Sequence, residues 1–152
     1  YIKQVIECKP HHLYPITIGQ SFAYNDNYAF QQVQSVYSSQ CQIMREMAVK
    51  APCVMIGRCA DYILQEFKPY RIFVYADMES RIKRCIERSS EEETVGGKEM
   101  KRLINNIDKS RAKYYEFYTG MKWGDKKNYD LCVNTTDVVI KEIVPVIAKL
   151  FR

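Results

Sequence analysis

The sequence predicts an α/β fold, a parallel sheet flanked by helices. Three short apolar runs rich in β-formers, at residues 53–56, 71–76 and 131–133, carry this expectation. Wholly apolar runs of that length read as strands buried on both faces. Between them lie longer segments with apolar residues at helical spacing, so that helix and strand alternate. At 152 residues the chain reads as one domain, 1–152, with enough length to bury a core.

Residues 1–20 are mixed. A helix ending near Cys8 would be stopped by Pro10, and a short extended piece follows over residues 14–19. Residues 21–27 are rich in Asn, Asp, Ser and Tyr and read as a loop, with Asp26 or Asn27 capping the next helix. A long helix is predicted over residues 28–50, with Ala29, Val33, Val36, Met44 and Met47 on one stripe. Pro52 ends it and leads into the 53–56 strand. Gly57 lets the backbone turn at the strand's carboxyl edge, where open α/β sheets bind ligands, and Arg58 is placed there. A guanidinium at such an edge suits a phosphate or carboxylate, and an arginine on solvent is the equal alternative.

A short helix to about Phe67 and a break at Pro69 precede the second strand, 71–76. Asp77 is placed to cap a helix over 78–88, on which Arg81, Arg84 and Arg88 fall within about 60° of one another. That cluster reads as a phosphate clamp or as a solvated basic face. Residues 89–97, with Glu91–Glu93 and Gly96-Gly97, read as a mobile lid loop. A second long helix over 98–118 carries Met100, Leu103, Ile104, Ile107, Tyr114, Tyr115 and Tyr118 on one stripe. Arg111 stands in the middle of that stripe with Asp108 three residues earlier. An arginine on an apolar face is costly unless paired, so the face either pairs it or opens onto a ligand. After a Gly-punctuated loop comes the third strand, then a last helix capped by Thr136 or Asp137 and kinked at Pro145.

The net charge is +5, and residues 101–127 alone hold an excess of that size, eight Lys and Arg against Asp108, Glu116 and Asp125. A local basic field points to an anionic ligand. Nucleic acid is the less favoured ligand, since no known nucleic-acid fold signature accompanies the charge. No apolar run approaches the ~20 residues of a membrane span. The six cysteines form no C-x-x-C pair and mostly sit in apolar segments, which predicts reduced, buried thiols in a cytoplasmic protein. The His11-His12 pair lacks partners at metal-ligand spacing, and no metal site is predicted on the chain's own side chains.

Several segments together resemble the cytidylate kinase-like family of P-loop nucleoside monophosphate kinases. They are Gly57-Arg58-Cys59-Ala60-Asp61, Arg81-Ile82-Lys83-Arg84, Ile107-Asp108-Lys109-Ser110-Arg111-Ala112-Lys113-Tyr114-Tyr115, and the loop from Tyr118-Thr119-Gly120 through Trp123-Gly124-Asp125 to Asn128-Tyr129-Asp130. The likeness runs from about residue 20 to the end. It implies a three-layer P-loop kinase-type parallel sheet flanked by helices, with residues 1–50 on the side of the acceptor monophosphate and 78–111 as the lid region. It implies transfer of the ATP γ-phosphoryl group, with Mg²⁺, to a pyrimidine nucleotide such as CMP or dCMP. By position, Arg58 would hold the acceptor phosphate, Asp108 and Arg111 would grip the acceptor nucleotide, and Arg81 and Arg84 would close over the ATP phosphates. Cys59 stands where characterised members carry an Asp that helps read the base, and Asp61 is the nearby carboxylate for that task. None of the six glycines opens a G-x-x-x-x-G-K-[ST] phosphate loop. The resemblance places that loop and the central strand upstream of Tyr1. A nucleotide-binding protein without turnover is the alternative reading.

Overall fold

The computed structural model describes residues 27–88 and 96–151. It divides into two compact units, Tyr1–Val54 and Met55–Arg152. The expectations for residues 1–26 and for the Glu91–Glu93 segment lie outside the described residues.

The first unit contributes one long helix, α1 (Asn27–Lys50), close to the predicted span. Of its predicted apolar stripe, Val36 and Met47 are exposed and Met44 is half-buried, whereas Cys41, off that stripe, is buried.

The segment after α1 departs from expectation. Residues 53–56 form no strand, and Val54 and Ile56 are each 92% exposed. A strand exists only through a neighbour that satisfies its N–H and C=O groups. Among the described residues the sheet has two strands, β1 (Ile72–Tyr75) and β2 (Leu131–Asn134), paired with each other. The apolar run therefore has no ladder partner among the described residues. Of the three-layer sheet that the resemblance implies, the described residues form two parallel strands, with helices.

In order, the second unit holds a short helix α2 (Ala60–Ile63), a 3₁₀ turn (Gln65–Phe67), β1, helix α3 (Met78–Arg88), helix α4 (Gly97–Thr119), a 3₁₀ turn (Lys126–Asn128), β2, helix α5 (Ile140–Ala148) and a last 3₁₀ turn (Lys149–Phe151). β1 and β2 run parallel with Ile72 opposite Leu131 and Tyr75 opposite Asn134. Parallel neighbours need a long crossover, and α3 and α4 supply it.

Side chains lock both ends of this pair. At the start, Asp130 accepts from the Arg71 amide (2.7 Å), from Nε (3.1 Å) and from Nη2 (2.9 Å). At the finish, the Thr135 amide and Oγ1 both donate to the Tyr75 carbonyl, at 2.8 and 3.0 Å, and Asp77 N–H donates to Thr136 Oγ1 at 2.9 Å. Thr136 is thus spent on α3's approach and does not cap α5. Asp137 takes a left-handed φ of 54° and accepts from Ser80, leaving Val139 at the α5 N-cap position with no side-chain cap. Asp77 does cap α3 as expected, accepting from Ser80 N–H at 2.7 Å.

Between the ends, Phe73 packs against Trp123 and Tyr129, with ring centroids 5.5 and 4.8 Å away. Gly124 serves this contact: its φ is +76°, and a Cβ there would stand 3.1 Å from Phe73 Cζ. The sheet is not the doubly buried kind that the apolar runs predict, since Val74 and Tyr75 are exposed. The buried residues include Ala60, Ile63 and Leu64, then Met100, Ile104 and Tyr115 of α4, Val133 of β2 and Thr135 just after that strand. Cysteines follow the same correction: Cys41 and Cys59 are buried, whereas Cys53, Cys85 and Cys132 are exposed, all as free thiols.

Candidate functional site

The site begins at a backbone turn. Gly57, Arg58 and Cys59 take φ values of 69°, 57° and 56°, three successive residues in the left-handed region. For the two that carry a Cβ this costs about 1–2 kcal/mol each. The turn is held by Ala60 N–H on the Gly57 carbonyl at 3.1 Å and by Tyr62 and Ile63 N–H on the Cys59 carbonyl at 3.0 and 2.9 Å. Cys59, only 3% exposed, anchors it from beneath. Its thiol is buried, and the half-buried Arg58 beside it donates from its guanidinium to the Tyr114 hydroxyl of α4.

Helix α4 also carries the second element. Arg81 of α3 grips Asp108 with both terminal nitrogens, Nη2 to Oδ1 at 2.9 Å and Nη1 to Oδ2 at 2.7 Å. Arg111 approaches the same carboxylate, Nη1 to Oδ1 at 3.7 Å, with its side chain 45% exposed. Asp108 is thus a shared anchor for two guanidiniums on different helices, and its geometry toward Arg81 is the strong bidentate form. Asp108 and Tyr114 are separated by about 9 Å of helix rise. Arg81, Arg111 and Arg58 are therefore met along one short stretch of α4. Arg81, on the first turn of the helix that leaves the carboxyl end of β1, ties Asp108 to the edge where α/β sheets take ligands, whereas Tyr115, next to Tyr114, bonds Asp61 beside the starting ends of the strands.

Arg84 is not brought into this row. Its Nη1 donates to Thr135 Oγ1 at 3.2 Å, and its Nη2 to the carbonyls of Thr135 and Val138. It closes the chain after β2, at the same end of the sheet. The side chain of Arg88, the third member of the predicted clamp, lies outside what the structure describes.

Asp61 is held elsewhere. Its Oδ2 accepts from Tyr115 OH at 2.6 Å. Tyr115 is buried; that burial and the Asp61 carboxylate both push its phenol up from its ordinary range. Tyr129 is hydrogen-bonded to Tyr115 and accepts from Gly124 N–H at 3.4 Å, and burial raises its phenol as well. A cavity of about 410 Å³ opens beside Asp61, walled in part by Lys68, Tyr70, Arg71 and Asp130. It faces the starting ends of the strands, away from Arg81 and Arg84. Asp130 there is held at about 2, well below an ordinary carboxylate, by the hydrogen bonds from Arg71.

Tyr114 and Tyr115 are the contributors that sequence reasoning missed, because helical spacing assigned both to an apolar stripe. The available signal was chemical: a buried tyrosine hydroxyl seeks a partner. Two adjacent tyrosines, facing a segment with Arg and Asp three residues apart, can satisfy both.

The matching family model spans residues 8–137 and describes the cytidylate kinase-like family. The chain belongs to that family. The chain is also similar to a solved crystal structure of an uncharacterized protein from Eubacterium ventriosum ATCC 27560. The two are 30% identical, over 91% of this chain and 79% of that one, with a TM-score of 0.69. A comparison with curated proteins finds none that matches. Membership accounts for the α/β character and for a nucleotide-kinase-like fold. Among the described residues of this family member, no group of three His, Cys, Asp or Glu side chains could hold a metal ion. No helix among them is long and apolar enough to cross a membrane.

Proposed function

We propose that the chain is an ATP-dependent nucleoside monophosphate kinase acting on a pyrimidine nucleotide, CMP or dCMP, at the Arg58–Arg111 site. One observation carries the reading: Arg81 of α3 and Arg111 of α4 share the Asp108 carboxylate, and Arg58 of the Gly57 turn is hydrogen-bonded to Tyr114 further along the same helix. Arginines keep their charge at any working pH and hold phosphates with a planar fork.

Arg58 and Arg111 would bind the acceptor phosphate, and Arg81 would meet charge developing on the group in transfer. Asp108 holds Arg81 and Arg111 in place before any ligand arrives. Phosphoryl transfer needs little covalent help from a protein and depends on positioning and charge stabilisation. The described residues supply no ligand set for Mg²⁺, which would arrive on the ATP phosphates. Arg84, tied to Thr135 and Val138, would reach those phosphates only by leaving its partners, so its part in the reaction is the most demanding of the assignments.

The test is ADP release from ATP and Mg²⁺ with CMP, dCMP or UMP as acceptor. Turnover with a pyrimidine monophosphate that is lost in Arg58→Ala and Arg111→Ala supports the proposal. Turnover indifferent to both substitutions overturns the site. The second reading is a nucleotide binder without turnover. It expects CMP to raise the melting temperature while no ADP appears.

A further inference from the structure

Arg58 is held in place from two sides. Its backbone sits in the middle of the left-handed turn, with φ 57° between Gly57 at 69° and Cys59 at 56°. Its guanidinium is bonded to the Tyr114 hydroxyl. Tyr114 in turn packs its ring on Tyr118, with centroids 4.7 Å apart, and Tyr118 meets Phe117 at 4.9 Å. The neighbouring Tyr115 ties the same two segments together a second time, through its 2.6 Å bond to Asp61. Adjacent tyrosines of α4 thus grip residues 58 and 61, so the helix cannot slide against the turn without breaking both contacts.

We propose that Tyr114 is a positioning residue, whose neutral hydroxyl aims the Arg58 guanidinium at the phosphate of the acceptor nucleotide. The inference rests on the reading of Arg58 as an acceptor-phosphate ligand. The choice of partner is chemically specific. A carboxylate facing Arg58 would orient it but would also compete with the incoming phosphate, as Asp108 does for Arg81 and Arg111. A phenol orients without subtracting charge. Burial raises the Tyr114 phenol far above its ordinary range, so it stays neutral at every working pH. A fixed donor geometry reduces the ordering that ligand binding must supply, which is how a group remote from the ligand gains affinity for it.

The experiment compares binding of CMP and UMP with binding of cytidine and uridine, by calorimetry on the full chain. Tyr114→Phe removes one hydroxyl. It is expected to weaken both monophosphates about tenfold and leave both nucleosides unchanged. In an Arg58→Ala background the same substitution is expected to add no further loss. A purely structural role for Tyr114 would weaken nucleotides and nucleosides alike, or act additively with Arg58→Ala, and either result overturns the proposal. Unchanged CMP and UMP affinity in Tyr114→Phe, with a loss in Arg58→Ala, overturns the positioning role and leaves the site reading standing. Unchanged affinity in Arg58→Ala overturns the site reading and this inference with it. Should Tyr114→Phe fail to fold, Arg58→Lys is read instead. It keeps the charge but not the fork, and binding as tight as in the parent chain would overturn the proposal.

Discussion

Arg58 and Arg111 show how unevenly single positions weigh in this chain. Each is one of 23 basic residues, yet each stands at a structurally marked place, one in a left-handed turn and one beside a shared carboxylate. A charge-assisted contact to phosphate is worth about 2–3 kcal/mol, so Arg58→Ala or Arg111→Ala is expected to weaken acceptor binding roughly 30- to 150-fold. Titration calorimetry with CMP measures this directly. Tyr115 makes a different prediction. Its hydroxyl is buried and donates to Asp61, so Tyr115→Phe should lower unfolding free energy by about 1–2 kcal/mol while acceptor affinity changes little. Urea unfolding alongside CMP titration separates the two effects. Asp130 predicts a pH dependence. Its folded value is about 2 against an unfolded value of ~3.9, so its contribution is complete above pH ~4 and is lost as pH falls towards 2. Asp130→Asn should be less stable than the parent at neutral pH, and the two melting temperatures should converge near pH 2.

Elements were legible in the sequence where local chemistry decides them. The capping of α3 by Asp77, the long α4 helix and the two strands that form all follow from period, cap and β-forming residues close at hand. What was not legible depends on partners far along the chain. Residues 53–56 have the composition of a buried strand, but a strand is a property of a pair, and no described neighbour completes it. Thr136 has the composition of an N-cap, yet the Asp77 amide, 59 positions away, claims its oxygen first. For the candidate site, the residue types were readable and their partners were not: Arg111 and Asp108 at helical spacing, but neither Arg81 on the same carboxylate nor Tyr114 on Arg58. At the element scale Gly124 is the sharpest test. Ala there meets both an unfavourable φ and a ring at 3.1 Å, so Gly124→Ala should destabilise the loop leading to β2 by about 1–2 kcal/mol or more. Thermal unfolding with Trp123 fluorescence, whose ring lies on Phe73, reads the local and global change together.

At the scale of the whole molecule, the arginine row lies entirely within the unit Met55–Arg152, and no residue of α1 is needed to describe it. The family likeness runs over both units, residues 8–137, and so exceeds the part that carries the candidate site. One feature of that site reaches further than geometry. Because Asp108 already neutralises part of the charge on Arg81 and Arg111, an anion binding at the proposed site must displace that carboxylate. Chloride, with a single diffuse charge, competes poorly for two cations that already share a counterion, whereas a dianionic phosphate competes well. Asp108→Asn should therefore make the site greedier and less discerning: chloride at 0.1 M should inhibit CMP binding in the variant and hardly at all in the parent. A carboxylate of this kind acts as a threshold, setting how much negative charge a molecule must bring before it is admitted.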